Sequence, residues 1–349
     1  MYFNVYKDEG SVIEGYLIPD GFSSKPRVFV DLEKTRYGPF DCDIFLPGPF
    51  NHKHHATGIV GFEVNEDKVP GLQSTLHVEV GDEDTGTVFY RRFLPGTHRR
   101  ARVFRLETQF IPHNETDQSL KPYFQFHAEQ VERHGTETVR QMLEIAHQSS
   151  TYVSGRVLLK SVQPYLTEDT IRITSLRDPF YELAVRLWVA GTYHKRKLPF
   201  VSERDAVLLK PAFGHFASTD FSDFSSLQHH ITTAPKEILE LFSSPFTHQL
   251  VAANPTDVVR RDGLSSALDV LSQFTIFSSD EDAEIFAGDI AETLDLDRST
   301  VFVNPLRSQF ISLANRLREI KVLEYILEND LILYYFIARA KERAASDRI

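Results

Sequence analysis

The stretch Thr170-Ile-Arg-Ile-Thr-Ser-Leu-Arg-Asp-Pro-Phe-Tyr-Glu-Leu-Ala-Val-Arg186 changes from the period of a strand to the period of a helix at one Arg-Asp-Pro turn. Apolar residues alternate before the turn and recur three and four apart after it. The turn therefore predicts Arg177 at the carboxyl end of a strand and beside a helix N-terminus. Open α/β sheets bind anionic ligands at such places. The alternative is that Arg177 and Asp178 pair and brace the turn.

The composition is that of a globular protein of two or three domains. The chain has 349 residues, of which 42% are hydrophobic and 25% charged. A formal net charge of −11 argues against a general nucleic-acid binder, which normally carries a basic face. The single cysteine, Cys42, cannot form an internal disulfide or, by itself, a zinc site. This cysteine usage is compatible with a reducing cytoplasm.

The sequence predicts a cytoplasmic protein with at most peripheral membrane contact. Its first ten residues lack the basic start and apolar run of a secretory signal. No run of about 18 apolar residues, the length needed to span a bilayer, occurs in the chain.

Two regions of the chain have different hydrophobic periods. Short alternating runs separated by Pro-Gly turns continue to about residue 108, which predicts an all-β sandwich domain over 1–110. The polar stretch 111–119 predicts a linker. Strand and helix patterns then alternate, which predicts an α/β domain over 120–349 with a parallel sheet flanked by helices.

The predicted elements of this second domain are short strands followed by long amphipathic helices. The strands are expected at 123–127 and 170–176, and the helices at 138–147, 181–189, 265–274, 280–294 and 307–343.

The stretch 132–143, Glu-Arg-His-Gly-Thr-Glu-Thr-Val-Arg-Gln-Met-Leu, has the features of a phosphate-binding loop. A glycine, Gly135, lets the backbone turn tightly, so that N–H groups at the following helix start face an anion, to which Thr136 and Thr138 add hydroxyl donors. Arg133 is a cation next to this loop. The alternative is that Thr136 is an ordinary helix N-cap with Glu137 in the first turn.

Together with Leu-Arg-Asp-Pro-Phe-Tyr-Glu-Leu-Ala-Val at 176–185, this loop resembles the cofactor motifs of sulfotransferases that use 3′-phosphoadenosine 5′-phosphosulfate (PAPS). The nearest type is the bacterial carbohydrate or lipid enzyme. The segments 267–274 and 326–335, with Asn304, are similar to the helical tail of that family. The resemblance covers about 120–343 and leaves the β-rich part outside.

The resemblance implies a P-loop-like sulfotransferase fold, PAPS as cofactor without a metal, and sulfuryl transfer to a hydroxyl of a saccharide or glycolipid. It implies a 3′-phosphate site at Arg177 and Arg186. It also implies a 5′-phosphosulfate cradle that comprises Arg133, His134, Gly135, Thr136, Glu137 and Thr138. The β-sandwich domain would bind the acceptor, hold a homodimer together or dock a partner.

The catalytic candidates are Arg133, which stands where the family has a lysine, and Glu129 or His134 as the base. His127 and His215 are further candidates for the same role. Departures from the family pattern at 133, 136, 137 and 185 keep a second hypothesis open. In that hypothesis the chain is a non-catalytic sulfotransferase-like binding or scaffolding protein with a degenerate cofactor loop.

Two other clusters have a functional and a structural interpretation. The histidines in 51–55 and 229–230 suggest a metal site but favour exposed turns, because the helical i, i+4 spacing is missing. Arginines at 91–92, 99–102 and 105 form either a patch that attracts an anionic glycan, lipid headgroup or cofactor, or the solvent face of strands.

Overall fold

A computed structural model describes residues 1–145, 148–278 and 283–346. The chain divides into two compact units, each built from several segments. The first unit comprises 1–103, 120–128 and 134–153, and the second comprises 104–119, 129–133 and 154–349. This division differs from the predicted boundary between 110 and 120.

The strands are β1 (Tyr2–Asp8), β2 (Val12–Ile18), β3 (Arg27–Leu32), β4 (Thr35–Asp41), β5 (Ile44–Phe45), β6 (Ile59–Asn65), β7 (Val78–Asp82), β8 (Val88–Arg91), β9 (Arg102–Leu106), β10 (Phe126–Ala128), β11 (Thr151–Gly155), β12 (Thr170–Ser175) and β13 (Ile276–Ser278). The helices are α1 (Pro47–Asn51), α2 (Asn114–Leu120), α3 (Thr136–Leu143), α4 (Leu159–Val162), α5 (Pro179–Tyr193), α6 (Glu203–Leu208), α7 (Lys210–Phe216), α8 (Phe224–Thr232), α9 (Lys236–Glu240), α10 (Pro245–Val251), α11 (Gly263–Leu271), α12 (Ala283–Thr293), α13 (Ser308–Leu317), α14 (Val322–Ile326) and α15 (Glu328–Ser346).

Two antiparallel sheets form most of the first unit, with strand orders β1-β2-β6-β5 and β4-β3-β7-β8. Strands β1 and β2 alternate buried and less buried residues over most of their length, as expected where one face of a sheet packs on a core. Aromatic rings connect the two sheets. Phe89 of β8 lies 5.2 Å from Phe3 of β1 and 6.2 Å from Phe62 of β6, measured between ring centroids.

A five-stranded parallel sheet flanked by helices has the order β10-β11-β9-β12-β13. Its central strand is β9, which we had predicted to belong to the N-terminal β domain. The predicted linker at 111–119 instead contains most of helix α2. The α/β class of this part of the chain is therefore confirmed, whereas the start of its sheet was predicted too late in the sequence.

The side chain of Arg105 explains this error. Strand β9 reads as an alternating Arg-Val-Phe-Arg-Leu run, which is typical of a strand with one solvent face. Arg105 is nevertheless 2% exposed, because Asp117 and Glu107 pair with its guanidinium at 2.8 and 3.0 Å. A buried ion pair of this kind makes a central strand look half-exposed in sequence.

Strand β12 and helix α5 confirm the predictions for 170–176 and 181–189. Helix α5 begins at Pro179, whose fixed φ suits the first helical position. Its N-cap is Asp178, whose side chain accepts a hydrogen bond from the Tyr181 N–H at 3.0 Å. The apolar residues of α5 are buried in the main core of the second unit, where α5 packs against α7 and α13.

The C-terminal helical prediction was right in type and wrong in number. The pattern over 307–343 forms three helices, α13, α14 and α15, rather than one. The predicted helices at 265–274 and 280–294 correspond to α11 and α12, and residues 280–282 lie outside the described ranges. Within those ranges, no helix combines the length and the apolar composition that a membrane span requires.

Asp330 of α15 holds the start of α10. Its carboxylate accepts hydrogen bonds from the N–H groups of Phe246 and Thr247, at 2.9 and 2.7 Å, and from the Thr247 hydroxyl at 2.6 Å. Asp330 and Thr247 are fully buried. The first N–H groups of a helix have no partner within the helix, so this carboxylate supplies one from another element.

We expect Asp330→Ala to lower the free energy of unfolding by about 3 kcal/mol, because buried donors would lose their acceptor. Asp330→Asn is the matched control and should cost less, since it keeps one acceptor oxygen. Urea unfolding at neutral pH measures both variants. Equal stability of wild type and Asp330→Ala would contradict this role.

Candidate functional site at the carboxyl edge of the parallel sheet

The sheet order creates a crevice between the carboxyl ends of β9 and β12. The chain leaves β9 toward β10 on one side of the sheet and leaves β12 toward β13 on the other. Connections that depart in opposite directions leave a gap at the carboxyl edge, and open α/β sheets bind ligands in that gap. Residues 107–113 and 176–181, all in the second unit, follow these two strands.

The loop after β9 folds around the carboxylate of Glu107. Its two oxygens accept hydrogen bonds from the N–H groups of Gln109 and His113, at 3.0 and 2.8 Å. Arg105 donates to the same carboxylate at 3.0 Å and makes a two-oxygen contact with Asp117 at 2.8 Å. We call Arg105, Glu107, His113 and Asp117 the Glu107 network.

Charges within the Glu107 network keep Glu107 ionised. Burial alone would raise the pKa of this carboxyl, but hydrogen bonds from His113 and the charge of Arg105 hold it well below its ordinary value. The His113 Nδ1 atom lies 3.2 Å from Glu107 Oε2. Since the Arg177 guanidinium can only donate, its contact of 2.7 Å with His113 Nε2 makes that nitrogen the acceptor and puts the ring proton on Nδ1.

Arg177 occupies the position predicted from the sequence, at the end of β12 and just before α5. It is 5% exposed and donates to His113, to the Tyr181 hydroxyl at 3.3 Å and to the main-chain oxygen of Asn304 at 3.3 Å. Asp178 caps α5 and pairs with Arg318 at 2.6 Å. The neighbouring residues Arg177 and Asp178 therefore have different roles: Arg177 contacts the loop residues around it, and Asp178 caps the helix.

A small cavity lies at this crevice, and we call it the switch-point cleft. Its volume is ≈ 20 Å³, room for roughly one water molecule. Arg307, on its rim, is exposed, and its main-chain N–H donates to the Tyr181 hydroxyl at 3.0 Å. The residues that line the cleft are Gln109, Ile111, Pro112, His113, Arg177, Tyr181, Glu182, Val185, Asn304, Pro305, Arg307 and Phe310.

Arg186, the second predicted 3′-phosphate ligand, pairs with a buried carboxylate. Its Nε donates to Glu182 Oε1 at 2.7 Å, one helical turn earlier. The Phe110 N–H donates to the same oxygen at 3.0 Å. Burial raises the pKa of Glu182 although Arg186 opposes the shift. Arg186 therefore neutralises Glu182, and its predicted contact with a phosphate stays a prediction.

Five residues of the predicted phosphosulfate cradle, 134–138, belong to the first unit. Gly135 has a φ of −65°, and a side chain there would meet open space, so this turn does not require glycine. The Thr138 hydroxyl accepts from the Met1 ammonium at 2.9 Å, and Tyr2 donates to Glu137 at 2.9 Å. The cradle role of His134 and Thr136 stays a prediction.

Arg133 and Glu129 belong to the second unit. The Arg133 guanidinium donates to the Pro199 carbonyl at 2.6 Å, and Gln118 donates to Glu129 at 2.8 Å. Glu132, between them, accepts from the Arg156 N–H at 2.9 Å. A Cβ at residue 155 would lie 2.8 Å from the backbone nitrogen of Val131, so glycine is required where strand β11 ends. The predicted catalytic residues thus have structural contacts as well, and their roles stay predictions.

The remaining histidine candidates also have structural contacts. His127 stacks on Tyr152 with 5.0 Å between ring centroids. His215 bonds the main-chain oxygen of His230 at 2.8 Å, and buried His55 bonds that of Ser24 at 2.8 Å. Among the residues that the structure describes, no group of three or more His, Cys, Asp or Glu side chains is arranged to hold a metal ion.

Several members of the arginine cluster form ion pairs. Arg91 pairs with Glu79, and Arg92 contacts both oxygens of Asp8 at 2.8 and 2.9 Å. Arg105 belongs to the Glu107 network. These three arginines have ion-pair partners, and Arg91 and Arg105 are buried rather than on the solvent face of a strand.

Sequence reasoning missed His113, Glu182 and Asn304 as residues of the switch-point cleft. They come from three distant segments, so no local spacing connects them. One signal was available, since Glu182 and Arg186 are four apart on a predicted helix.

A scan of the sequence against protein-family models finds no match, and a search of curated proteins finds no similar sequence.

The Glu107 network predicts a specific pH dependence of stability. Because its pKa is depressed on folding, Glu107 stabilises the fold at pH values above its ordinary pKa of 4.5, and this contribution is lost as the pH falls below that value. We expect Glu107→Gln to be less stable than wild type by about 3 kcal/mol at pH 7. The difference should shrink below pH 4.5, as followed by urea unfolding.

Glu144→Gln is the matched control, because Glu144 forms an exposed pair with Arg140 at 2.9 Å. Such a pair contributes about 0.5 kcal/mol. A constant difference between wild type and Glu107→Gln from pH 7 to pH 3 would contradict the ionised state of Glu107.

Proposed function

We propose that this protein is sulfotransferase-like and binds the 3′-phosphate end of PAPS in the switch-point cleft. The reaction would move the sulfuryl group to a hydroxyl of a saccharide or glycolipid. The observation that carries the proposal is Arg177, a buried cation at the carboxyl end of β12 and at the switch point of a parallel sheet. Arg307 on the rim adds a second cation.

Charge supports an anionic ligand at this cleft. Glu182 is the carboxylate among the residues that line the cleft, and it pairs with Arg186. Arg177 and Arg307 are the cations among the lining residues. Arginine is suited to phosphate because its planar guanidinium can donate two parallel hydrogen bonds.

The phosphosulfate end of PAPS has weaker support than the 3′-phosphate end. In the loop after β9, the amides of Gln109 and His113 already donate to Glu107, an internal anion. In the loop at 133–138, Thr138 accepts from Met1, and Glu137 brings a negative charge. The amides after β9 are engaged and the loop at 133–138 carries a carboxylate, so we derive no catalytic step through a bound phosphosulfate.

These same observations favour a second candidate, a binding or scaffolding protein that has the sulfotransferase-like arrangement without the transfer reaction. A binding protein of this kind would share the nucleotide site at Arg177 with the enzyme. A pure scaffold would bind no nucleotide. Binding and turnover therefore have to be measured separately.

Calorimetry with adenosine 3′,5′-bisphosphate tests the site. We expect micromolar binding that Arg177→Ala weakens by about 10- to 100-fold, because charged hydrogen bonds to the phosphate are lost. Arg177→Lys should retain part of the affinity. Arg196→Ala is the control, since Arg196 is exposed just beyond the other end of α5, about 22 Å along a helix of 15 residues. No binding at millimolar nucleotide would sink the proposal.

Arg133→Ala tests the enzyme version. If Arg133 stabilises charge that develops during sulfuryl transfer, the variant should lose turnover by about 100-fold while its affinity for the bisphosphate changes little. Transfer from PAPS to a saccharide acceptor and calorimetry give the two numbers. Equal losses of turnover and of affinity would mean that Arg133 is a binding contact only. Unchanged turnover and affinity would mean that Arg133 has no role beyond its hydrogen bond to the Pro199 carbonyl.

A further inference from the structure

Two buried acceptor atoms at the switch-point cleft have no hydrogen-bond partner among the described residues. They are Glu182 Oε2 and Asn304 Oδ1, and both residues line the cleft. Buried polar atoms in folded proteins are nearly always bonded, because leaving water without a new partner is unfavourable. An unpartnered carboxylate oxygen on a residue of 0% exposure therefore indicates a ligand or a bound water.

The orientation of the Glu182 carboxyl group is fixed by its other oxygen. Oε1 accepts from Arg186 Nε at 2.7 Å and from the Phe110 N–H at 3.0 Å. This leaves Oε2 as an acceptor whose negative charge Arg186 already offsets. Such an oxygen can accept from a neutral hydroxyl close to a phosphate without strong repulsion of that phosphate.

Arg177 lies beside this pair of acceptors. Its Nη2 donates to the main-chain oxygen of Asn304 at 3.3 Å, and it lines the same cleft as Glu182. A ligand that contacts all three residues needs an anionic group next to a hydrogen-bond donor. The volume of ≈ 20 Å³ suits one hydroxyl oxygen, which a water molecule would replace when the ligand is absent.

We infer that Glu182 and Asn304 form the subsite for the ribose 2′-hydroxyl of a nucleotide whose 3′-phosphate is bound by Arg177. This inference rests on the proposed function and adds the specificity of its site. In a ribonucleoside 3′-phosphate, the hydroxyl and the phosphate are on adjacent ring carbons. The hydroxyl therefore reaches an acceptor next to the phosphate-binding arginine, and a carboxylate is a good partner for it.

The test compares adenosine 3′,5′-bisphosphate with its 2′-deoxy analogue by calorimetry on the full chain. We expect wild type to bind the ribonucleotide about 10-fold or more tightly, because the deoxy analogue leaves the two acceptors unpaired. Asn304→Ala removes Oδ1 but keeps the main-chain oxygen that Arg177 uses. Glu182→Gln keeps an oxygen for Arg186 and places an amide toward the cleft. Each variant should reduce the preference to about threefold or less.

Arg177→Ala provides the control, because both nucleotides carry the 3′-phosphate and should lose affinity to the same extent. Equal binding of the two nucleotides by wild type would overturn this inference and leave the proposed function standing. An unchanged preference in both Asn304→Ala and Glu182→Gln would also overturn it. Absence of binding for either nucleotide would overturn the proposed function, and this inference with it.

Discussion

The carboxylate of Glu107 is the group on which the geometry of the switch-point cleft depends. It is fully buried, and it collects hydrogen bonds from two loop amides and from Arg105. Removing an ionised group from water is costly unless several partners compensate, and here the partners are the loop itself and the central strand. The path of the loop after β9 therefore follows from the need to satisfy this one charge.

Hydrogen bonds connect the Glu107 network to the residues proposed to contact the ligand. Glu107 fixes the proton of His113 on Nδ1, and His113 Nε2 accepts from Arg177. Arg177 in turn contacts Tyr181 of α5 and the backbone at Asn304. The cation proposed to bind phosphate is thus positioned by the His113 ring, the Tyr181 hydroxyl and a main-chain oxygen.

The sequence predicted well where local pattern and tertiary environment agree. Strand β12 and helix α5 have clear periods, and the Arg-Asp-Pro turn marks their junction, so Arg177 was correctly located. It failed for β9, because burial of Arg105 depends on Asp117, a residue in a stretch that we had predicted to be a linker. Polar composition predicts exposure unless a buried partner is known.

The members of the cleft were harder to predict than the fold that supports them. Glu182 lies in a helix, His113 in a polar loop and Asn304 in an irregular segment far along the chain. Only the sheet order brings these segments to one edge. Conversely, the loop at 133–138 has the composition of an anion site, yet the φ of Gly135 is one that other residues adopt, and Thr138 contacts Met1. Composition alone does not distinguish such a loop from an ordinary helix start.

The buried charges of the Glu107 network have an evolutionary consequence. Arg105, Glu107 and Asp117 are all at least 98% buried, so a substitution at one of them leaves a buried charge without that partner. Single substitutions at these positions therefore lower the stability of the fold, whereas joint replacement by apolar residues of similar volume is tolerable. Related chains should preserve the three residues together or replace them together, and their covariation would trace the ancestry of this sheet when overall similarity has faded.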